Sequence, residues 1–207
     1  MRCFALVLTL VILSVDRSDQ KDILRFQAEE KPREVETLFD LLTGRMGLMG
    51  RSSRVGAFKY TNCGDPNTDL ANLKDLTLSP DPLTFPGPLN VQFDADIKST
   101  VDAPLKGVVV IETKIGSTWL KIPCIGNIGS CTYDDICELL QGITCPQPFV
   151  SAGIPCQCPF SQGSYALPKT TFDIEAAIFP PGDYHATANL TYGGSRVACV
   201  DIYASFD

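Results

Sequence analysis

The chain has 207 residues, with 24 acidic and 17 basic side chains, nine cysteines and one histidine. This length suits one domain, or one domain with a tail. The formal charge of −7 argues against nucleic-acid binding, because basic side chains drive the contacts with phosphates. It argues equally against electrostatic docking on acidic lipid at neutral pH. A single histidine excludes metal sites built from several histidines.

Residues 1–15, MRCFALVLTLVILSV, predict a secretory signal peptide. Arg2 forms a short basic start, an apolar run follows from Phe4 to Leu13, and charged residues begin at Asp16. The run is shorter than the roughly 20 apolar residues that span a bilayer. Removal of the signal takes Cys3 with it. Eight cysteines then remain, an even number that suits disulfides in an oxidising compartment.

Residues 16–54 predict a propeptide or flexible leader. They hold eight acidic and eight basic residues and no cysteine, and the apolar positions 35, 38, 39 and 42 allow one amphipathic helix. The segment ends in Arg51-Ser-Ser-Arg54, a pattern that subtilisin-like processing proteases can cut; an ordinary charged tail is the alternative. The mature domain, 55–207, would carry 16 acidic and 8 basic residues, a net charge of −8.

From Phe58 onward, apolar and polar residues alternate with the period of two that half-buried strands show. Turns rich in proline and glycine separate the alternating segments. The pattern predicts an all-β antiparallel domain, a sandwich or a barrel. The predicted strands lie at 76–78, 91–97, 108–111, 119–122, 172–178, 184–192 and 200–206.

One segment breaks this rule. Residues 132–143 predict a helix, because the apolar positions 136, 139, 140 and 143 share one helical face. Asp134 and Asp135 would lie in its first turn, where they favour the helix dipole. Six of the eight mature cysteines lie around this helix, between Cys124 and Cys158. The region therefore predicts a disulfide-stapled flap beside the sheet, and eight cysteines allow 105 pairings in principle.

The residues give little support to catalysis. There is no nucleophile elbow, zinc-protease motif or phosphate-binding loop, and no zinc-like Cys-x2-Cys pair is present. The single histidine, His185, is predicted on the polar face of a strand, where a solvated role is favoured over that of a catalytic base. We therefore predict a non-enzyme without metal or cofactor.

Asn189-Leu-Thr191 is a glycosylation sequon. The alternating pattern places Asn189 opposite the face of Tyr184, Ala186 and Ala188. A glycan there would point away from the core, which favours its use; an unused sequon is the alternative.

Several short sequence motifs in the chain resemble those of the ganglioside GM2 activator family. They include Trp119-Leu-Lys-Ile-Pro-Cys124, Ile128-Gly-Ser-Cys131, Leu76-Thr-Leu-Ser-Pro-Asp-Pro82 and Gly153-Ile-Pro-Cys-Gln-Cys-Pro-Phe160. The resemblance covers about 58–207. It implies a β-cup, in which antiparallel strands surround an apolar cavity for lipid acyl chains. It also implies the disulfides Cys63–Cys199, Cys124–Cys131, Cys137–Cys158 and Cys145–Cys156.

Family members are non-catalytic, and the resemblance implies the same here. They lift a glycosphingolipid from the membrane and present its headgroup to a soluble lysosomal hexosaminidase. The expected partners are therefore a glycosphingolipid or phospholipid, a membrane surface and such a hydrolase, in a secreted or lysosomal setting. Candidates for lipid contact or for the rim are Trp119, Leu120, Tyr60 and Phe179. Trp119 suits a rim because its ring is apolar in body and polar at one edge.

Two other classes remain open at this stage. A secreted effector, such as a venom or defence component, could use the same lipid-binding cup, and a propeptide ending at Arg54 would favour it. A lipid hydrolase is less favoured, because no nucleophile and base are apparent.

Overall fold

A computed structural model describes residues 57–175 and 180–207. The predicted signal peptide, the leader with Arg51 and Arg54, and Phe179 lie outside these residues. Within them the chain forms nine strands and two short helices in antiparallel sheets, as the alternating pattern predicts. The strands are β1 (Lys59–Asn62), β2 (Ala71–Ser79), β3 (Gly87–Ile97), β4 (Lys106–Ile115), β5 (Thr118–Lys121), β6 (Thr132–Tyr133), β7 (Gly163–Ile174), β8 (Gly182–Tyr192) and β9 (Ser195–Phe206).

The strands form two sheets. The six-stranded sheet has the order β1-β9-β8-β4-β5, with β6 paired to β4, and the three-stranded sheet has the order β2-β3-β7. Alternation sets their inner faces. In β3, for example, Leu89, Val91, Phe93, Ala95 and Ile97 are buried and the residues between them are more exposed. The inner faces pack on one another and form the apolar core.

The flap contains two helices where one was predicted. α1 spans Ile136–Leu140 and α2 spans Gln147–Ser151. α1 is shorter than the predicted 132–143, because Asp135 serves as its N-cap and accepts a hydrogen bond from the Cys137 backbone N–H at 2.9 Å. Residues 132 and 133 pair instead with β4 as β6. On α1, Ile136 and Leu140 are buried but Leu139 is exposed, so the predicted apolar face is narrower.

One seam joins the two sheets along β9. At one end, the Leu70 N–H donates to the Arg196 carbonyl at 3.1 Å. At the other end, the Leu83 N–H donates to the Ser205 carbonyl at 2.8 Å. Between them, the Asn62 side chain of β1 donates to the Leu73 carbonyl of β2 at 2.8 Å. The seam therefore runs the length of the strand and places β2 beside β1 and β9.

An ion pair lies within this seam. The Arg196 Nε donates to Asp69 Oδ1 at 2.7 Å. The Asp69 side chain is only 5% exposed, whereas that of Arg196 is 37% exposed. A carboxylate buried to this degree depends on its partner, because an unpaired buried charge is strongly unfavourable.

We therefore expect Arg196→Met to lower the free energy of unfolding by about 3 kcal/mol. Lys74→Met is the control, because the Lys74–Asp96 pair, 2.7 Å long, lies on the surface, and such pairs contribute about 0–1 kcal/mol. Urea denaturation followed by fluorescence measures both. Equal losses of unfolding free energy in the two variants would show that the buried ion pair stabilises the fold no more than a surface pair does.

Four disulfides constrain the chain: Cys63–Cys199, Cys124–Cys131, Cys137–Cys158 and Cys145–Cys156. The first joins residues 136 positions apart in sequence and links the end of β1 to β9. The second closes a separation of only 7. The other two lie within the flap.

The chain-entropy model predicts unequal contributions from these bridges. Replacing Cys63 and Cys199 together by serine should lower stability by about 5 kcal/mol, and replacing Cys124 and Cys131 by about 2 to 3 kcal/mol. Thermal unfolding of the two double variants, without reductant, tests which bridge contributes more to stability. A larger loss of stability on removal of the Cys124–Cys131 bridge would contradict the chain-entropy model for this fold.

Candidate functional site

Apolar side chains from both sheets make up the interior between them. The three-stranded sheet contributes large ones, whereas β8 and β9 contribute smaller ones such as Ala188, Val200 and Ala204. The large ones are Leu73, Leu76, Leu78, Leu89, Val91, Phe93, Leu167, Phe172 and Ile174. An interior of this composition has affinity for hydrocarbon.

The edge opposite the seam is not closed by sheet hydrogen bonds. Among the described residues, β4 and β5 of the larger sheet make no hydrogen bond to β7 of the smaller one. The flap bridges part of this edge. Its α1 is held to the larger sheet, where the Ile136 N–H donates to the Leu105 carbonyl at 2.7 Å. Its α2 lies against the smaller sheet through Phe149.

Phe149 closes the interior from the flap side. It is 2% exposed, and its ring centroid lies 6.2 Å from that of Phe93 and 6.1 Å from that of Phe172. Both partners lie on the inner face of the three-stranded sheet. The sequence predicted the flap but not this inward aromatic, because its helix has only five residues and carries no periodic signal.

Leu120 lies where a rim residue would. The strand register pairs it with Thr113, so the two side chains share one face of the sheet. Thr113 is buried on the inner face, whereas Leu120, on the edge strand β5, is 42% exposed. Leu120 therefore belongs to the inner face and still reaches solvent beside the open edge.

Trp119, next to Leu120, lies on the outer face. It pairs with Lys114, whose Nζ is 5.9 Å from its ring. Its ring also makes edge contacts with His185 and Tyr203, at centroid distances of 5.9 and 6.2 Å. Trp119 and Leu120 thus lie side by side at the same edge and face opposite ways.

His185 is held in a polar cluster that its pattern alone did not predict. Its Nδ1 lies 2.9 Å from Glu112 Oε2, and its Nε2 lies 3.4 Å from Asp201 Oδ1. Its ring stacks on Tyr203 at 4.2 Å, and its side chain is only 17% exposed. The prediction of a solvated histidine is therefore wrong, because β4 and β9, which flank β8, both place partners beside it. The cluster links three strands, and the Thr187 hydroxyl also donates to Asp201 Oδ1 at 2.5 Å.

Tyr60 lies at the other side of the larger sheet from Leu120. Its phenol donates to the Lys74 carbonyl at 2.9 Å. Burial, helped by the nearby charge of Asp75, raises the pKa of this phenol, so it stays protonated as a donor. Tyr60 closes the seam and does not join Leu120 at the open edge.

Tyr184 holds the chain that follows the segment containing Phe179. Its phenol donates to the Pro180 carbonyl at 2.8 Å, and burial raises its pKa. The ring packs edge-on against Phe206 at 5.2 Å. Pro180 is thereby fixed to the inner face of β8.

Comparison with known proteins adds the family. The ML-domain family model matches residues 57–206. The ganglioside GM2 activator of Mus musculus is 37% identical over 164 residues, covering 75% of this chain and 84% of the relative. The chain belongs to the ganglioside GM2 activator family of ML-domain proteins. The Macaca fascicularis activator is also 37% identical, over 161 residues, covering 73% of this chain and 84% of the relative.

A solved structure was also compared. A Niemann-Pick type C2 protein from the Japanese carpenter ant superposes with a TM-score of 0.38 at 15% identity, covering 72% of this chain and 99% of that chain. The assignment to the ganglioside GM2 activator family rests on the sequence matches.

The four disulfides of the structure are the pairs that the resemblance to the GM2 activator family implied. Every cysteine of the described residues is thereby bonded. In the same part of the chain no group of three or more His, Cys, Asp or Glu side chains could hold a metal ion. No helix there is long and apolar enough to cross a membrane.

Asn189 is exposed on the outer face of β8, where it pairs with Val108 of β4. The sequon and the exposure of its asparagine both favour glycosylation.

We expect the protein secreted from animal cells to carry one N-glycan at Asn189. Treatment with an N-glycosidase should lower its mass, and Asn189→Gln should abolish that shift. Thr191→Ser is the control, because it preserves the sequon. An enzyme-sensitive mass shift that persists in Asn189→Gln would contradict the assignment.

Proposed function

We propose that this protein is a secreted or lysosomal lipid-transfer protein that extracts a glycosphingolipid from a membrane and presents its headgroup to a soluble hydrolase such as β-hexosaminidase. Membership of the GM2 activator family supports lipid binding without catalysis. The observation that carries the proposal is an apolar interior between two sheets that, within residues 57–175 and 180–207, are hydrogen-bonded to each other along a single seam.

Such a protein is needed because the buried acyl chains hold a glycolipid in the bilayer. Each buried CH₂ holds a lipid in the bilayer by ~0.8 kcal/mol, so a water-soluble hydrolase meets the headgroup only at the membrane plane. An apolar interior exchanges one hydrocarbon environment for another. Extraction then costs little burial, and the headgroup becomes accessible.

The disulfides support the proposal of a secreted or lysosomal setting. Disulfides form and persist in oxidising surroundings, and all eight cysteines of the described residues are paired. The predicted signal peptide would direct the chain there. Secretion and lysosomal delivery both follow that route.

Native mass spectrometry of the mature protein tests lipid binding directly. We expect co-purifying lipid, or uptake of ganglioside or phospholipid from added vesicles. A protein that stays lipid-free under both conditions would overturn the proposal. Addition to β-hexosaminidase and ganglioside then tests presentation, and no gain in headgroup hydrolysis would favour a lipid-binding effector.

Leu120 offers a sharper test of the entry edge. Leu120→Asn should slow transfer of a fluorescent ganglioside between vesicles about tenfold, since it removes contact equivalent to roughly two buried methylenes at ~0.8 kcal/mol each. Val108→Asn is the matched control, because Val108 is 39% exposed against 42% for Leu120 but lies on the outer face. Equal slowing in both variants would place entry elsewhere.

A further inference from the structure

We propose that the uncharged segment, residues 139–168, is the surface by which this protein docks on a lipid membrane. The inference rests on the proposed function and deepens it by assigning the membrane contact to a particular part of the fold. The inference must explain how so acidic a domain approaches a membrane. The domain has twice as many acidic as basic residues, and such a domain is repelled by an anionic membrane.

The first observation is the distribution of charge. No Asp, Glu, Lys, Arg or His occurs from Leu139 to Pro168, whereas residues 55–207 carry 16 acidic and 8 basic side chains. The charges resume at Glu138 on one side and Lys169 on the other. All of the domain's negative charge therefore lies outside this segment.

The second observation is exposed apolar surface in the same segment. Val150 on α2 is 54% exposed and Leu139 on α1 is 42% exposed. Among the exposed large apolar side chains of the described residues, Val150 is the most exposed. An apolar side chain without a charged neighbour in the chain, such as Val150, can enter the boundary between headgroups and acyl chains. Leu139 directly follows the exposed Glu138 and so marks the limit of this surface.

The third observation is the position of the segment. Phe149 precedes Val150 and lies in the apolar interior against Phe93 and Phe172. One turn of α2 thus contacts the interior on one side and solvent on the other. Docking through Val150 would bring the bilayer next to the space where we place the acyl chains.

The flap is also pre-arranged for this contact. Cys137–Cys158 and Cys145–Cys156 tie both helices to the segment that follows them. The Gln157 side chain donates to the Gln141 and Ile143 carbonyls at 3.1 and 3.3 Å. The exposed apolar residues are therefore held in place before contact, which lowers the entropy lost on docking.

The neutral polar residues of the segment suit a membrane surface. Exposed amide and hydroxyl groups can hydrogen-bond lipid phosphates without adding charge. The lack of acidic side chains also spares the segment the repulsion that this acidic domain meets at an anionic membrane. The exposed polar residues of this kind are Gln141, Thr144, Gln147, Ser151, Ser161 and Gln162.

Vesicle sedimentation tests the surface. With vesicles of phosphatidylcholine and phosphatidylserine, Val150→Asp and Leu139→Asp should each lower the bound fraction at least about fivefold. Val108→Asp is the control for charge and exposure, and it should leave binding within about twofold. Thermal unfolding checks that each variant is folded. Equal losses at Val108 and Val150 would overturn the proposal.

A second pair of variants avoids any change in apolar surface. Gln147 is exposed at the start of α2. Gln147→Lys should strengthen binding to the anionic vesicles and Gln147→Glu should weaken it, each about fivefold at low salt, with little change on pure phosphatidylcholine. Opposite effects of the two variants on binding to anionic vesicles support docking through this surface. No difference between the two variants would overturn it.

Loading with a water-soluble short-chain lipid, below the concentration at which it aggregates, separates this inference from the proposed function. Val150→Asp should take up this lipid normally, because no membrane contact is needed. Uptake lost in Val150→Asp and in the wild type alike would remove the proposed function itself. A change in sedimentation velocity of the free protein, with vesicle binding unchanged, would show a self-association face and overturn membrane docking.

Discussion

The hydrogen-bonded seam along β9 is the constraint on which the arrangement depends. It fixes the three-stranded sheet to the six-stranded sheet at β1, β2 and β9, with Asp69 and Arg196 paired inside it. Because the sheets are joined on that side, their apolar inner faces must meet. The other side, at β5 and β7, is left to a separate element, the flap. An interior held this way can be apolar throughout and still be reached from one edge.

Much of this fold could be predicted from the sequence, for reasons that differ between elements. β3 was predicted because it is buried on one face only, and Val91, Phe93, Ala95 and Ile97 show that face directly. β1 was not predicted, because it has four residues and only Tyr60 is even partly buried. α1 was predicted too long, because helical spacing cannot show that Asp135 caps the helix from outside. Pairing partners such as Glu112 and Asp201 of His185 come from strand register, which one sequence does not reveal.

The candidate site divides in the same way. Trp119 and Leu120 were both candidates for lipid contact, and nothing in their composition separates them. The register of β4 and β5 does, since it pairs Leu120 with an inward residue and Trp119 with an outward one. Trp119 is then part of the outer cluster with His185 and Tyr203. The inner face of the sheet is apolar, and its outer face is polar and aromatic.

The flap resolves a conflict between these two faces and the charge of the domain. The open edge must be covered, since an apolar interior exposed to water is unfavourable, and Phe149 covers part of it. Whatever covers that edge must also be able to face lipid. A charged flap would satisfy the first demand and fail the second. The uncharged part of the flap around α2, with Phe149 inward and Val150 outward, satisfies both demands. The Cys145–Cys156 disulfide supplies the rigidity that a helix of five residues lacks by itself. A hydrocarbon chain entering between β5 and β7 would therefore pass beside α2, so that covering the interior and meeting the membrane become roles of one element.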